Sequence, residues 1–310
     1  MQVPVVQAGM GGGIAGSALA AAVSDAGGLG TIGTQPPAVL AAEIAAVRQR
    51  TAAPVAVNLL LPFAGARHFA AAEAADVVVT FWGRPRRRIS GVWIHQRGSV
   101  DEALRARSAG ADAVIAQGVE AGGHVRGTEP ALALLERTRS ALGPGYPVLV
   151  AGGIADAGDV RTALEAGAEA AVLGTRFVLA AESGATPAYR QRLIEAHGTV
   201  LTELFGLGWP APHRVVPNEA TRRWIGVDPR GPLPIRMLNR ASALLARMPA
   251  AAQAPLVRAQ RPSLPLLTPN PPGPGTPPAL IDAGALYAGE TVARLDAVEP
   301  AGDLVRALAG

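Results

Sequence analysis

Ala116-Gln117-Gly118-Val119-Glu120-Ala121-Gly122-Gly123-His124 follows a short apolar run at residues 113–115 and turns at once to glycine. The chain repeats the arrangement twice: Ala151-Gly152-Gly153-Ile154 follows residues 148–150, and Leu173-Gly174-Thr175-Arg176 follows residues 170–172. Glycine just past a strand lets the backbone approach a ligand, because no Cβ stands in the way. Three such ends in succession, with helical segments between them, describe one rim of a parallel barrel. In that fold the loops after the seventh and eighth strands commonly bind a phosphate. His124 is the one histidine in these loops, where a catalytic group would face the ligand. Together the three ends predict a phosphate-bearing cofactor with a base beside it.

Eight short apolar runs alternate with alanine-rich helical segments up to about residue 185, at residues 3–7, 29–32, 55–58, 77–80, 92–95, 113–116, 148–151 and 170–173. Buried parallel strands read as continuous apolar runs, and eight strand–helix alternations predict an α/β fold, a (β/α)8 TIM barrel. Ser17 is expected to cap a helix over residues 18–26 that stops at Gly27-Gly28. Ser99 with Glu102 makes a capping-box pattern before a segment ending at Gly110, and Asp156 precedes a helix over residues 157–166 ending at Gly167. Only residues 81–91 separate the fourth and fifth strands. A crossover with its helix needs about a dozen, so a loop or single turn is expected. The run Arg84-Pro85-Arg86-Arg87-Arg88 within it reads as a solvated rim in preference to a phosphate grip.

The expected organisation is a cofactor-binding barrel core over residues 1–185 and a mainly helical, substrate-side segment over 186–261. A proline-rich extended linker or exposed loop follows over 262–278. Residues 279–310 should pack back on the barrel, with an amphipathic helix at 302–308. The chain's 310 residues suffice for one barrel plus such an appendage. Nearly half are apolar but only 4% aromatic, so Ala, Val, Leu and Gly carry the packing. Every lysine position is taken by arginine, a usage that reflects genome composition. A net charge of +4 with no basic stripe argues against nucleic acid as a partner. With no cysteine, disulfides, a thiolate nucleophile and cysteine-based metal centres are excluded, and no metal is expected. Met1-Gln2-Val3-Pro4-Val5-Val6 enters a strand without the charged and apolar regions of a signal peptide. Apolar stretches break before membrane-spanning length. A cytoplasmic enzyme of small molecules is expected, with no membrane partner and a possible homodimer.

Gly11-Gly12-Gly13-Ile14-Ala15-Gly16 matches the dinucleotide pattern G-x-G-x-x-G, which also needs an acid at the end of the next strand. That strand ends at Thr31-Ile32-Gly33-Thr34, and no acid follows until Glu43, so this reading is set aside. Asn58 and Gln117 close the third and sixth strands, where a barrel places ligand contacts. Both amides donate and accept, which suits the imide edge of an isoalloxazine ring, although Asn58 could equally cap the following turn. Gly152-Gly153 and Gly174-Thr175 offer backbone N–H groups and a hydroxyl to a phosphate. His95 reads as buried and structural, and His68, His197 and His213 lack supporting context.

The chain resembles the FMN-dependent nitronate monooxygenases, formerly 2-nitropropane dioxygenases, over nearly its whole length. The resemblance rests on Pro4-Val5-Val6-Gln7-Ala8-Gly9-Met10, Ala26-Gly27-Gly28-Leu29-Gly30, Val57-Asn58-Leu59 and His95-Gln96. It rests equally on the segment from Gln117 to His124, on Ala151-Gly152-Gly153-Ile154-Ala155-Asp156, on Leu173-Gly174-Thr175-Arg176-Phe177 and on Tyr287-Ala288-Gly289. It implies that Ala8, Gly9 and Met10 pass along the flavin. Asn58, Gln117, Gly122 and the adjoining Gly123 would contact its ring and ribityl region. Gly153, with Gly152 beside it, and Val172, Leu173, Gly174 and Thr175 would hold the FMN phosphate. His124 matches the family histidine that removes a proton from the carbon next to a nitro group. The flavin would then take an electron from the nitronate, and oxygen would complete its breakdown to a carbonyl compound and nitrite. Against the family, the fourth crossover is short and the proline-rich insertion falls in the substrate region. A second expectation is a flavin-dependent enoyl-thioester reductase or related acyl-thioester enzyme, since such enzymes share this barrel and a similar glycine–histidine loop. Arg84, Arg86–Arg88 and Arg126 would then serve an acidic carrier or a coenzyme A phosphate. A flavin-binding protein with a dead site is the third.

Overall fold

The computed structural model describes residues 1–87, 89–248 and 250–310. In chain order its strands are β1 (Val5–Gln7), β2 (Gly30–Ile32), β3 (Val55–Leu60), β4 (Val77–Phe81), β5 (Val92–Arg97), β6 (Ala113–Gln117), β7 (Gly123–His124), β8 (Val148–Ala151), β9 (Ala171–Leu173), β10 (Val200–Thr202) and β11 (His213–Val215). Eight of them form one parallel sheet in the order β1-β9-β8-β6-β5-β4-β3-β2. A parallel bridge between Val6 and Leu29 joins its two ends, with Leu29 N–H donating to the Val5 carbonyl at 2.9 Å. The sheet is thus closed as a (β/α)8 barrel, and all eight expected strands are present. β1 starts at Val5, after Pro4, which has no N–H for the ladder.

Side chains alternate across this sheet with the strand period of two. Val6, Ala56, Val79, Ile94, Ile115, Leu149 and Val172 fill the barrel interior. Their neighbours Val57, Val78, Trp93, Val114 and Val150 pack outward against the helices. Asp156 caps its helix as expected, accepting the Asp159 N–H at 3.1 Å. Ser99 accepts the Glu102 N–H, but the Glu102 carboxylate accepts from Gly98 instead of Ser99, so that box is half closed. Ser17 is not a cap. It is the first residue of the helix Ser17–Asp25 behind Gly16, and its N–H donates to Glu43 Oε2 at 2.6 Å.

Between β4 and β5 no helix stands among the described residues, yet five residue pairs hold the two strands in parallel register. Trp82 and Gly83 turn the chain with φ of 59° and 69°. Arg87 is committed to Asp112 and to the Gly110 and Gly91 carbonyls. Arg84 and Arg86 are exposed, and Arg88 lies outside the described residues.

The proline-rich stretch is a loop that is exposed at Pro274, Gly275, Pro277 and Pro278 but packed at its centre. Pro272 and Gly273 are buried, and Pro271 and Pro274 lie where side chains on Gly12 and Gly13 would have to be, 2.9 and 3.0 Å from a Cβ at either. The Gly11–Gly13 run is therefore a seat for prolines. The helix Ala301–Ala309 buries Leu304, Val305 and Leu308 against Val5, Leu19, Val23 and Leu173. No helix among the described residues is long and apolar enough to cross a membrane.

Candidate active site

A cavity of about 880 Å³ lies at the C-terminal ends of the barrel strands, within the size range of small-molecule sites. Thirteen of the fourteen residues singled out from sequence line it: Ala8, Gly9, Met10, Asn58, Gln117, Gly122, Gly123, His124, Gly152, Gly153, Val172, Gly174 and Thr175. Leu173 does not. Strand alternation turns its side chain outward into the helix layer with Val5, Leu19 and Phe177, and only its carbonyl serves the site, accepting the Ala8 N–H at 2.8 Å.

One wall of the cavity is backbone. Gly152 and Gly153 adopt φ of 118° and 72°, conformations open to glycine and strained for other residues. A Cβ on Gly152 would stand 3.2 Å from the Ala121 nitrogen. Thr175 Oγ1 accepts the Gly289 N–H at 2.9 Å, which leaves the hydroxyl proton for a further acceptor. Gly289 belongs to the segment fastened across this wall: Glu290 N–H donates to the Glu120 carbonyl at 3.0 Å, and Glu290 pairs with Arg214 at 2.8 Å. Arg214 also donates to the Val119 carbonyl at 2.7 Å.

Gln117 spends its amide on the chain itself. Nε2 donates to the His124 carbonyl at 3.0 Å, and Oε1 accepts the Arg126 N–H at 2.8 Å, so it fixes the histidine loop. Asn58 Oδ1 accepts from the Thr34 hydroxyl at 3.2 Å.

His124 sits on β7, and β7 is not part of the barrel. It pairs antiparallel with β11, which pairs with β10, so two strands from residues 200–215 complete a three-stranded sheet. In this register His124 lies opposite His213. The imidazole is boxed by rings: Trp209 stacks on it with centroids 3.7 Å apart and planes at 20°, while His213 and Tyr287 approach at 5.5 Å each. His124 Nε2 is buried with no hydrogen-bond partner. Burial, and after it the neighbouring His213, holds the His124 imidazole well below its ordinary 6.5, so it is neutral at pH 7 and able to accept a proton.

His213 had no signal in the sequence, because its role comes from strand pairing with a residue 89 positions away. Its Nδ1 lies 2.9 Å from the Ala211 carbonyl and its Nε2 accepts the Phe205 N–H at 3.1 Å. Both nitrogens are occupied, and burial lowers the group to about 4. It is a neutral neighbour of His124. His95 is buried outside the barrel wall beside the Thr80 hydroxyl, lowered to about 2 by burial first and Arg97 second. His68 lines the cavity, where its Nδ1 accepts the Gly65 N–H at 3.1 Å; His197 is outside it.

A closed parallel barrel with a backbone-lined cavity and an unpartnered imidazole at its strand ends defines the class: a (β/α)8 enzyme. The chain matches the family described as nitronate monooxygenase over residues 1–90 and 85–310; it belongs to that family. Among curated relatives, it is 34% identical over 234 residues to the (3aS,4S,5R,7aS)-5-hydroxy-7a-methyl-1-oxo-octahydro-1H-indene-4-carboxyl-CoA dehydrogenase of Mycobacterium tuberculosis, covering 71% of this chain and 64% of that protein. The matched region is thus just under two thirds of that relative's length. Among solved structures, FabK from Thermotoga maritima superposes with a TM-score of 0.77 at 27% identity, covering 99% of this chain and 92% of that one. The nitroalkane oxidase of Streptomyces ansochromogenes gives 0.74 at 30% identity, covering 99% and 94%.

Proposed function

We propose that the protein is an FMN-dependent nitronate monooxygenase, converting alkyl nitronates and O2 to carbonyl compounds and nitrite. The observation that carries the reading is the buried, unpartnered Nε2 of His124 on the wall of the cavity. An imidazole in that state has one open acceptor site, suited to a proton from the carbon next to a nitro group. Flavin mononucleotide fits the opposite, backbone-lined wall: Gly152, Gly153 and Gly174 supply room and N–H groups, and Thr175 a hydroxyl, for a phosphate. When bound, the flavin supplies the one-electron oxidation and the oxygen chemistry. The chain's own residues do the rest. The C–H bond of a neutral nitroalkane breaks, its proton passes to His124 Nε2, and the electron pair stays on the substrate as the nitronate. Gln117 holds the histidine loop in place through the His124 carbonyl. Apolar side chains (Phe63, Leu207, Trp209 and Met248 among them) line the substrate side and receive the alkyl part.

The relative named as a carboxyl-CoA dehydrogenase favours a second reading, acyl-thioester chemistry on the same barrel. None of the described residues lining the cavity is an arginine, so in this reading the coenzyme A phosphates would meet their cations outside the cavity. The deciding assay gives FMN-loaded protein an alkyl nitronate and follows oxygen uptake and nitrite, beside a parallel assay of NADPH consumption with an enoyl thioester. Oxygen uptake with nitrite release is expected. NADPH consumption with the thioester and no reaction of the nitronate would overturn the proposal.

A further inference from the structure

We infer that Trp209 is the positioning residue for His124: its indole lies flat on the imidazole, shuts water off that face and holds the ring for proton transfer. The inference rests on the proposal that His124 is the base, and extends it to a residue contributed from outside the barrel.

The stack is close and nearly parallel, 3.7 Å between centroids at 20°. It is also braced from behind. Phe63 meets Trp209 edge-on at 5.1 Å and Trp82 does so at 5.5 Å. Trp82 is the one non-glycine residue with positive φ among those described, at 59°. A bulky residue keeps that conformation only where its surroundings over-determine it. Here the Arg126 guanidinium lies over the Trp82 ring at 4.8 Å, and Arg126 is paired with Glu102. A line of contacts, Glu102 to Arg126 to Trp82 to Trp209 to His124, therefore runs from the helix Val100–Ser108 into the site.

The titratable groups facing the imidazole are His213 from β11 and Tyr287 from the C-terminal segment. Neither brings a charge: His213 has both nitrogens occupied, and the Tyr287 hydroxyl donates to the Pro269 carbonyl at 2.8 Å. Burial is the larger cause of the lowered His124 basicity, with His213 second, and Trp209 stacks on one face of the ring. Dryness matters for this reaction, because a carbon acid is a poor hydrogen-bond donor and a water on Nε2 would have to leave before each transfer.

The test follows the His124 imidazole by 15N NMR as pH is varied, in FMN-loaded and in cofactor-free protein, for wild type, Trp209→Ala and Trp209→Phe. In Trp209→Ala the midpoint should move up toward 6.5 as water reaches the ring, and the ratio of nitroalkane to nitronate turnover should fall roughly tenfold or more. Trp209→Phe, which keeps an aromatic cover, should restore most of both. If the alanine variant does not fold, Trp209→Val carries the same two readouts. A midpoint that stays put in these variants, or a phenylalanine variant as impaired as the alanine one, would overturn the inference. His124→Ala separates the two layers. Nitroalkane turnover that survives it removes the base itself; turnover lost there but insensitive to Trp209 removes only the positioning role.

Discussion

The cavity has two walls built in opposite ways. One is made of backbone at the barrel's strand ends, with Gly122, Gly152, Gly153 and Gly174 leaving main-chain atoms bare. The other is made of side chains, with Phe63, Trp209, Tyr287 and the His124 ring in contact with one another from segments far apart in sequence. At Gly122 and Gly152 the backbone wall has little tolerance, because the nearest atoms there are also backbone and cannot rotate away. The side-chain wall is held by ring contacts that a similar ring or aliphatic group partly replaces. A fixed wall suits a cofactor of constant shape, and an adaptable one suits substrates that vary.

The sharpest break of this contrast is Gly122→Val. A Cβ at Gly122 would stand 2.5 Å from the Ala288 carbonyl carbon and 2.6 Å from the Gly289 nitrogen, so residues 287–290 must leave their place over the cofactor wall. A loss of about 3 kcal/mol or more in urea unfolding is expected, with loss of FMN binding by fluorescence titration. Phe63→Leu on the other wall should cost about 1.5 kcal/mol or less and leave FMN affinity near wild type. Equal costs at the two positions would erase the distinction.

A smaller effect comes from His213, which joins the two walls through β11. Its folded value of about 4 lies below the unfolded value of about 6.5, so the unfolded chain binds the proton first. Stability is therefore fully present above about 6.5 and falls as pH drops toward 4, by about 3 kcal/mol for this group. His95 and His124, lowered by burial as well, add in the same direction. Urea unfolding across pH 4–7 should show the slope of stability against pH reduced by about one proton in His213→Gln. An unchanged slope would mean that the buried ring titrates normally.

The same contrast explains what could be read from sequence. The barrel and its backbone wall were legible because each strand end announces itself locally, an apolar run followed by glycine. Leu173 was misplaced only because it was counted with its motif, whereas the alternation of Val172 inward and Leu173 outward assigns it to the helix layer. Gln117 was recognised as a site residue, but its duty toward the His124 loop depends on how that loop folds back. The side-chain wall was mostly hidden. Nothing near Trp209 or His213 signals that β11 pairs with β7, and the proline run looked like a linker because its partner, Gly11–Gly13, is some 260 residues earlier. That glycine run imitates a dinucleotide fingerprint for a packing reason.

The account stands most directly on one comparison: kcat/KM of FMN-loaded wild type and His124→Ala with a neutral nitroalkane and with its pre-formed nitronate. Loss of a general base should lower the nitroalkane reaction by about 10²- to 10⁴-fold, while the nitronate, which has no proton to give up, declines far less. Equal losses on both substrates, or full nitroalkane activity in the variant, would contradict the assignment of His124 as the base.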